Sequence, residues 1–501
     1  MPYCSTFTPP SISRRLLWLL SWLPVLLLAL AMASSAHAQS QTCALRFNTQ
    51  EELNNYLGSG TRCSTAQSIF IRGYNRNADG TPDGGVTDVS GLLHITAVTG
   101  DVIIQKNLLA SLAGLNDIGT VGGVVHIQSG VGTFDDFPFL VSAGGVAFSG
   151  TSFTEIRGFG LLSSAGEVYI SQNSALRSVN AFNNLRTLTS RLTITNNPLL
   201  DRISTFGALT AAADIQVQSN PQLQAIVGFN ALRSLGSVNI TVNDALRTIS
   251  GFNGGLVATG QVGIMENPVL ETLSGFDNSD VSLVNISRNP RLKEIANFNN
   301  SRFGVSIAIT YNAGLEQITG FRSMAAPPRD LSISQNVLLD SISGFTGATA
   351  PTNLAIDDNP ALRTLTQGLT FTTYSTLNYL YLRNNSSLTG CNVPWLCQHL
   401  VRGGGANISG NATGCSEAAI RQACTTLAAR PVATKRPAPF PNPTDDMLQL
   451  PVRGAYRVSD LAGRVLLHGT GFQVSLAELP TGLYLVHTGA DFQDRFRIVK
   501  R

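Results

Sequence analysis

The feature that most constrains this chain is a repeat of roughly 23 residues running through most of its 501 positions. Each unit carries two apolar residues separated by one, then an asparagine three positions after the second. Val168-Tyr169-Ile170 leads to Asn173, Leu192-Thr193-Ile194 to Asn197, and Ile215-Gln216-Val217 to Asn220. The series continues through Asn243, Asn267, Asn289, Asn312, Asn336, Asn359 and Asn385, and reaches Asn411. A fixed period of this length marks a solenoid. Alternation over three or four residues is the pattern of a strand with one buried face. One strand per turn, stacked at about 4.8 Å, makes a continuous parallel sheet, and about fifteen turns give a rod about 70 Å long.

The asparagine has a physical reason to recur. The chain leaves each strand through a tight bend whose backbone groups are enclosed between neighbouring turns, and a side-chain amide can satisfy them. These asparagines therefore read as a structural ladder. Gly130 and Thr151 stand where the ladder residue is missing, so those two turns are expected to be looser. A second series follows, with Leu at +3, an aliphatic residue at +6 and Phe three residues later, as in Leu223, Ile226 and Phe229. Phe recurs at 159, 182, 206, 229, 252, 276, 298, 321 and 345, which predicts a stacked aromatic spine along the far wall.

Composition agrees with turn-rich β structure: charged residues are only 13% of the chain, while glycine reaches 47 positions. The basic pair Arg14-Arg15, the apolar run Leu16 to Met32 and the Ala36-His37-Ala38 site follow the order of a secretory signal peptide over residues 1–38. Losing it lowers the formal charge from +3 to about +1. No basic stripe remains for nucleic acid, and no later run is long enough to span a membrane. Removal of Cys4 leaves six of the seven cysteines, an even number that reads as disulfides in an exported chain. Cys43 and Cys63 are the evident N-terminal pair, whereas Cys391, Cys397, Cys415 and Cys424 allow three connectivities. The spacing of Cys391 and Cys397 is too wide for a usual zinc knuckle.

The repeated I-x-x-N-P-x-L-x-x-I-x-G-F blocks resemble leucine-rich repeats of the receptor L-domain type. Val86 to Leu92 and the Cys43 to Cys63 segment match the same style. The resemblance spans roughly residues 43 to 425 and implies a β-rich coil closed by disulfide caps. The expected organisation is an N-terminal cap over 39–64, the solenoid over 65–387, a C-terminal cap with the last turn over 388–429, and a Pro-rich linker over 430–440. Residues 441–501 then change character, with Pro441-Asn442-Pro443-Thr444, Tyr456 to Arg464 and Leu479 to Tyr484 ending on Phe496 to Arg501. Alternating strands around Ala462-Gly463 and Thr481-Gly482 turns predict a small β-sandwich. This segment resembles the C-terminal sorting domain of type IX secretion cargo in Bacteroidota. The resemblance implies that residues 441–501 engage that secretion machinery, and that the solenoid is released or held at the cell surface.

A solenoid enzyme would place its chemistry on outward strand positions. Those positions include Tyr169 and Ser171, Thr193 and Thr195, Gln216 and Gln218, Asn239 and Thr241, and Ser332 and Ser334. They are small, polar and nearly uncharged, whereas glycan cleavage needs paired carboxylates or an equivalent base. Asp357 and Asp358 are adjacent and so point apart. His126 reads as an isolated, solvated side chain. Asn75, Asn77, Asp79 and Asp83 form a weak calcium-loop candidate with Gly80 at the sixth position, but Val86 occupies the place of a closing carboxylate. No cofactor is expected. The reading that follows is a secreted or surface-held, non-catalytic binding or adhesion protein for a protein or glycan ligand. A structural envelope spacer and a β-helical polysaccharide-degrading enzyme are the alternatives.

Overall fold

The computed structural model describes residues 43–428, Pro439 and residues 442–501, except residues 61, 106, 107, 110, 259, 489–491 and 493. The expected signal peptide, Cys4 and all of the linker except Pro439 lie outside the described residues. The chain divides after Ala423 into two compact units.

The first unit is a parallel β-solenoid. Its main sheet takes one principal strand from each of sixteen turns among the described residues, from Cys43–Phe47 to Gly405–Ser409. The register is continuous: Val102, Val125, Val146, Val168, Leu192, Ile215 and Val238 lie in line across the turns. The additional turn has a simple origin. The Cys43–Cys63 segment does not merely precede the sheet: Cys43–Phe47 is itself the first strand, paired in parallel with Thr65–Arg72. The helix Gln50–Gly58 follows it, with the Thr49 hydroxyl accepting the Glu52 amide. Disulfides join Cys43 to Cys63 and Cys391 to Cys415, and Cys397 and Cys424 are also disulfide-bonded. The C-terminal end carries the helices Pro394–Val401 and Glu417–Ala428.

The ladder asparagines are buried and bonded along the stack. The Asn243 side-chain nitrogen donates to the Val217 and Thr241 carbonyls and to Asn267 Oδ1, while Asn243 Oδ1 accepts both the backbone and the side-chain nitrogen of Asn220. Every turn from Asn173 to Asn385 repeats this directional link, and Asn411 closes the series. The turn at Thr151 is not loosened by losing its asparagine. Thr151 is buried, and both its amide and its hydroxyl donate to Asn173 Oδ1, so it begins the ladder. At Gly130 the missing volume is taken by the Phe153 ring, against which any Cβ would collide.

The +6 aliphatic residues lie on short strands such as Ser178–Val179, Arg202–Ile203 and Ala225–Ile226, which form a second parallel sheet. The phenylalanines stack behind it. Ring centroids from Phe159 to Phe345 are 4.6–5.6 Å apart with interplanar angles of 3–15°, and Phe137 extends the spine by one ring. Each of these phenylalanines has a positive φ, for example 70° at Phe229 and 57° at Phe345. That backbone region costs a bulky residue about 1–3 kcal/mol. Burial of the ring returns about 1.5–3 kcal/mol, and stacking adds about 0.5–1.5 kcal/mol. The aromatic contact therefore sustains the corner. The glycine before Phe has a different cause. A methyl group at Gly251 would meet the Gly228 carbonyl oxygen, so successive turns approach too closely there for a side chain to fit without movement.

The second unit holds Met447–Ser459, Val465–Ser475, Gly482–Thr488 and Asp494–Lys500 in one antiparallel sheet, ordered second, first, third, fourth. The described residues supply this single sheet rather than the two layers of the expected sandwich. Its core gathers Leu448, Val458, Val474, Val486 and Ile498. The buried Lys500 ammonium is held by the Leu476, Ala477 and Leu479 carbonyls and lies 3.2 Å from Asp446.

Two substitutions test the ladders. Asn243→Leu orphans buried donors and acceptors on three turns and should lower unfolding free energy by about 3 kcal/mol or more, read from the denaturant midpoint. A loss below about 1 kcal/mol would remove the asparagine ladder from the forces that hold the coil. Asn297 is the converse case. It stands just before a spine phenylalanine, where most turns have Gly or Ala, is buried, and neither polar atom of its side chain has a hydrogen-bonding partner. Asn297→Ala should stabilise the coil by about 1 kcal/mol in the same measurement.

Candidate functional site

Because strand side chains alternate, every turn presents its outward residues in fixed columns. Ile103, His126, Ala147, Tyr169, Thr193, Gln216 and Asn239 are aligned in one. Gln105, Gln128, Ser149, Ser171, Thr195, Gln218 and Thr241 are aligned in the next. The outward positions expected from the sequence are therefore brought together on one face. A third column, one residue before the first inward position, carries Asp101, Glu167, Arg191 and Asp214. Alternation read one step further toward the N-terminus would have included it.

These columns enclose a groove of about 840 Å³. Its floor contains Ala147, Thr193 and Thr195, all buried although they face outward. Larger side chains rise around them: His126 on one side, Gln216 and Gln218 on the other, with Tyr169 between. Four strand spacings separate His126 from Gln216, about 19 Å. Asp101, Glu167 and Arg191 line the same groove. A shallower extension of about 460 Å³ shares Arg191, Thr193, Gln216 and Gln218 and continues to Asn239 and Met265.

His126 is not the isolated side chain expected of it. One ring nitrogen, Nε2, lies 2.7 Å from the Ser149 hydroxyl, and Nδ1 lies 3.2 Å from the Gln128 side-chain nitrogen. An amide nitrogen only donates, so Nδ1 accepts and Nε2 carries the hydrogen. Burial lowers the pKa of this imidazole from its ordinary value, and the nearby Asp101 charge opposes that shift. The floor is tied together in the same way, since the Thr195 hydroxyl donates to Ser171 and the Gln216 amide to Gln218. The groove is thus preformed, polar and rigid.

Its carboxylates are spread along the stack. Asp101 and Glu167 are three strands apart, about 14 Å, and Asp101 accepts the Val124 amide. Glu167 and Asp214 are two strands apart, about 10 Å, with the Arg191 strand between them. Asp214 accepts the Ser237 hydroxyl. At the far end of the face Asp357 forms a two-point ion pair with Arg383, and Asp358 sits in a bend bonded to Asn384. The strand Tyr379–Arg383 also places Tyr379 and Tyr381 outward, beyond the series of positions legible from the early repeats.

The calcium-loop residues are engaged by protein groups. Asp79 accepts the Thr81 amide and hydroxyl, and Asp83 accepts the Asn75 and Gly85 amides while pairing with Arg72. These contacts hold both carboxyls below the usual aspartate range, with the Thr81 hydroxyl the largest influence on Asp79 and the Asn75 amide on Asp83. The Asn77 side chain donates to Thr81 and Pro82. Among the described residues no three His, Cys, Asp or Glu side chains form a metal-holding group. No helix among them is long and apolar enough to cross a membrane.

Fold and face together define a disulfide-bonded parallel β-solenoid with a preformed polar groove on its main sheet. No protein-family model, no curated protein and no solved structure matches the chain.

Proposed function

We propose that the chain is a secreted or cell-surface binding protein, built on leucine-rich repeats of the receptor L-domain type, that holds a protein or glycan ligand without transforming it. The observation that carries this reading is the groove around Tyr169. Asp101, His126, Glu167, Tyr169 and Arg191 are gathered within a few turns, over a floor of small residues. A spacer selected only for its coil has no need of such a gathering. Rigid presentation favours binding, because little side-chain freedom remains to be lost on association. The disulfides support an oxidising compartment.

The non-catalytic part of the reading is supported by what stands between the carboxylates. Glycoside hydrolysis uses carboxyl groups about 5–9.5 Å apart across an open position. Here Glu167 of the groove and Asp214 of its extension lie on either side of the Arg191 strand, so a cationic side chain stands where the open position would be. The Tyr169→Ala/Arg191→Ala pair should weaken retention of host matrix proteins or polysaccharides on the immobilised full chain about tenfold, with an unchanged unfolding midpoint. Equal retention would remove the groove from binding. Reproducible cleavage of any polysaccharide in the same incubations would replace the reading with an enzymatic one.

Residues 441–501 are assigned to export through type IX secretion, on the motifs at Pro441 to Thr444, Tyr456 to Arg464 and Leu479 to Tyr484. In that system, deletion of residues 441–501 should leave the protein in the periplasm, as read by fractionation. Unchanged surface display of the truncated chain would rule the assignment out.

A further inference from the structure

We propose that Tyr379 and Tyr381 form a second binding site on the same face, a platform on which the sugar rings of a polysaccharide stack. The two residues occupy alternate positions of the strand Tyr379–Arg383 and therefore project from one surface. They are exposed to 58% and 39%, although their strand, the last but one of the sheet, is paired on both sides. Their neighbours in register are small or short. Asn353 and Gly405 flank Tyr379, while Ala355 and Asn407 flank Tyr381. The Tyr379 ring lies against Gly405, where an added Cβ would come within 3.2 Å of it, and both rings keep exposed surface.

The platform is also held in place. The Arg383 guanidinium lies 5.0 Å from the Tyr381 ring centroid. Arg383 is itself fixed by two bonds to Asp357, at 3.1 Å and 2.8 Å, and Asp357 is buried. An anchored cation over one face of the ring limits its motion before any ligand arrives, which lowers the ordering cost of binding at the other face.

The chemistry around the rings selects the class of ligand. A protein anchor needs an apolar surround that excludes water, but here amides and an ion pair border the tyrosines. A lipid surface needs excess positive charge, but the Arg383 charge is matched by Asp357. A pyranose presents a flat C–H face rimmed by hydroxyl groups. That pattern fits two aromatic faces bordered by Asn353 and Asn407. The site is five strands beyond Met265 at the end of the groove extension, about 24 Å away. It stands without the groove reading.

Affinity electrophoresis of the full chain through gels containing a soluble β-1,4-glucan, xylan, a β-1,3-glucan or a galactomannan tests this. At least one polysaccharide should retard the protein. The Tyr379→Ala/Tyr381→Ala pair should lose affinity about tenfold or more, whereas the corresponding Phe pair should keep it, since stacking survives loss of the hydroxyl. Matching unfolding midpoints exclude misfolding as the cause. Unaltered migration in all four gels overturns the proposal. So does retardation that persists in the Ala pair but disappears in Tyr169→Ala/Arg191→Ala, a result that would place the glycan in the groove and leave the groove reading intact.

Discussion

The whole coil depends on what happens to backbone polar groups at its corners. Strands stacked about 4.8 Å apart satisfy one another through the ladder, but a bend breaks that pattern in a place water does not reach. Leaving such a group bare costs about 1–3 kcal/mol, and the corner recurs in every turn. The amide of Asn243 resolves this with donors and an acceptor at once, serving its own turn and the turns before and after. Once that corner is fixed, the distance between turns is fixed too. The close passage at Gly251 and the ring spacing of the phenylalanine spine follow from it.

Function is then confined to positions that the coil does not use. Inward residues fill the core, and the corner residues satisfy backbone or stack. Only outward columns and loops remain free to vary, so a binding surface arises as a departure from monotony along a column. Ala147, Tyr169 and Thr193 differ in size where the coil itself makes no demand, and a groove results. Tyr379 and Tyr381 are a second departure of this kind.

The inward architecture was legible in the sequence because its constraint repeats. One asparagine proves little, but eleven in one recurring series do, and the same holds for phenylalanine at 159 through 345. What resisted reading was whatever occurs once. Cys43–Phe47 is a strand only because Thr65–Arg72 lies beside it, a partnership that no local pattern announces. Thr151 does the work of asparagine with a hydroxyl, and Gly130 is completed by Phe153 from the next turn. Residue type alone predicted looseness at both. For the candidate site, Tyr169, Gln216 and Gln218 were recognised as outward, but Asp101, Glu167 and Arg191 precede the apolar pairs that marked each strand. The partners of His126 lie on its own strand and the following one, and only the register brings Ser149 within reach.

The position of the cystines has a further meaning for a stack of this kind. A terminal turn contacts one neighbour, whereas an interior turn contacts two, so fraying from an end breaks half as many interfaces as opening anywhere else. Cys43–Cys63 fastens the first strand to the approach to the second, and Cys391–Cys415 fastens the segments on either side of the last strand. Fraying at both tips is thereby limited by a covalent link, a restraint that a reducing medium would remove.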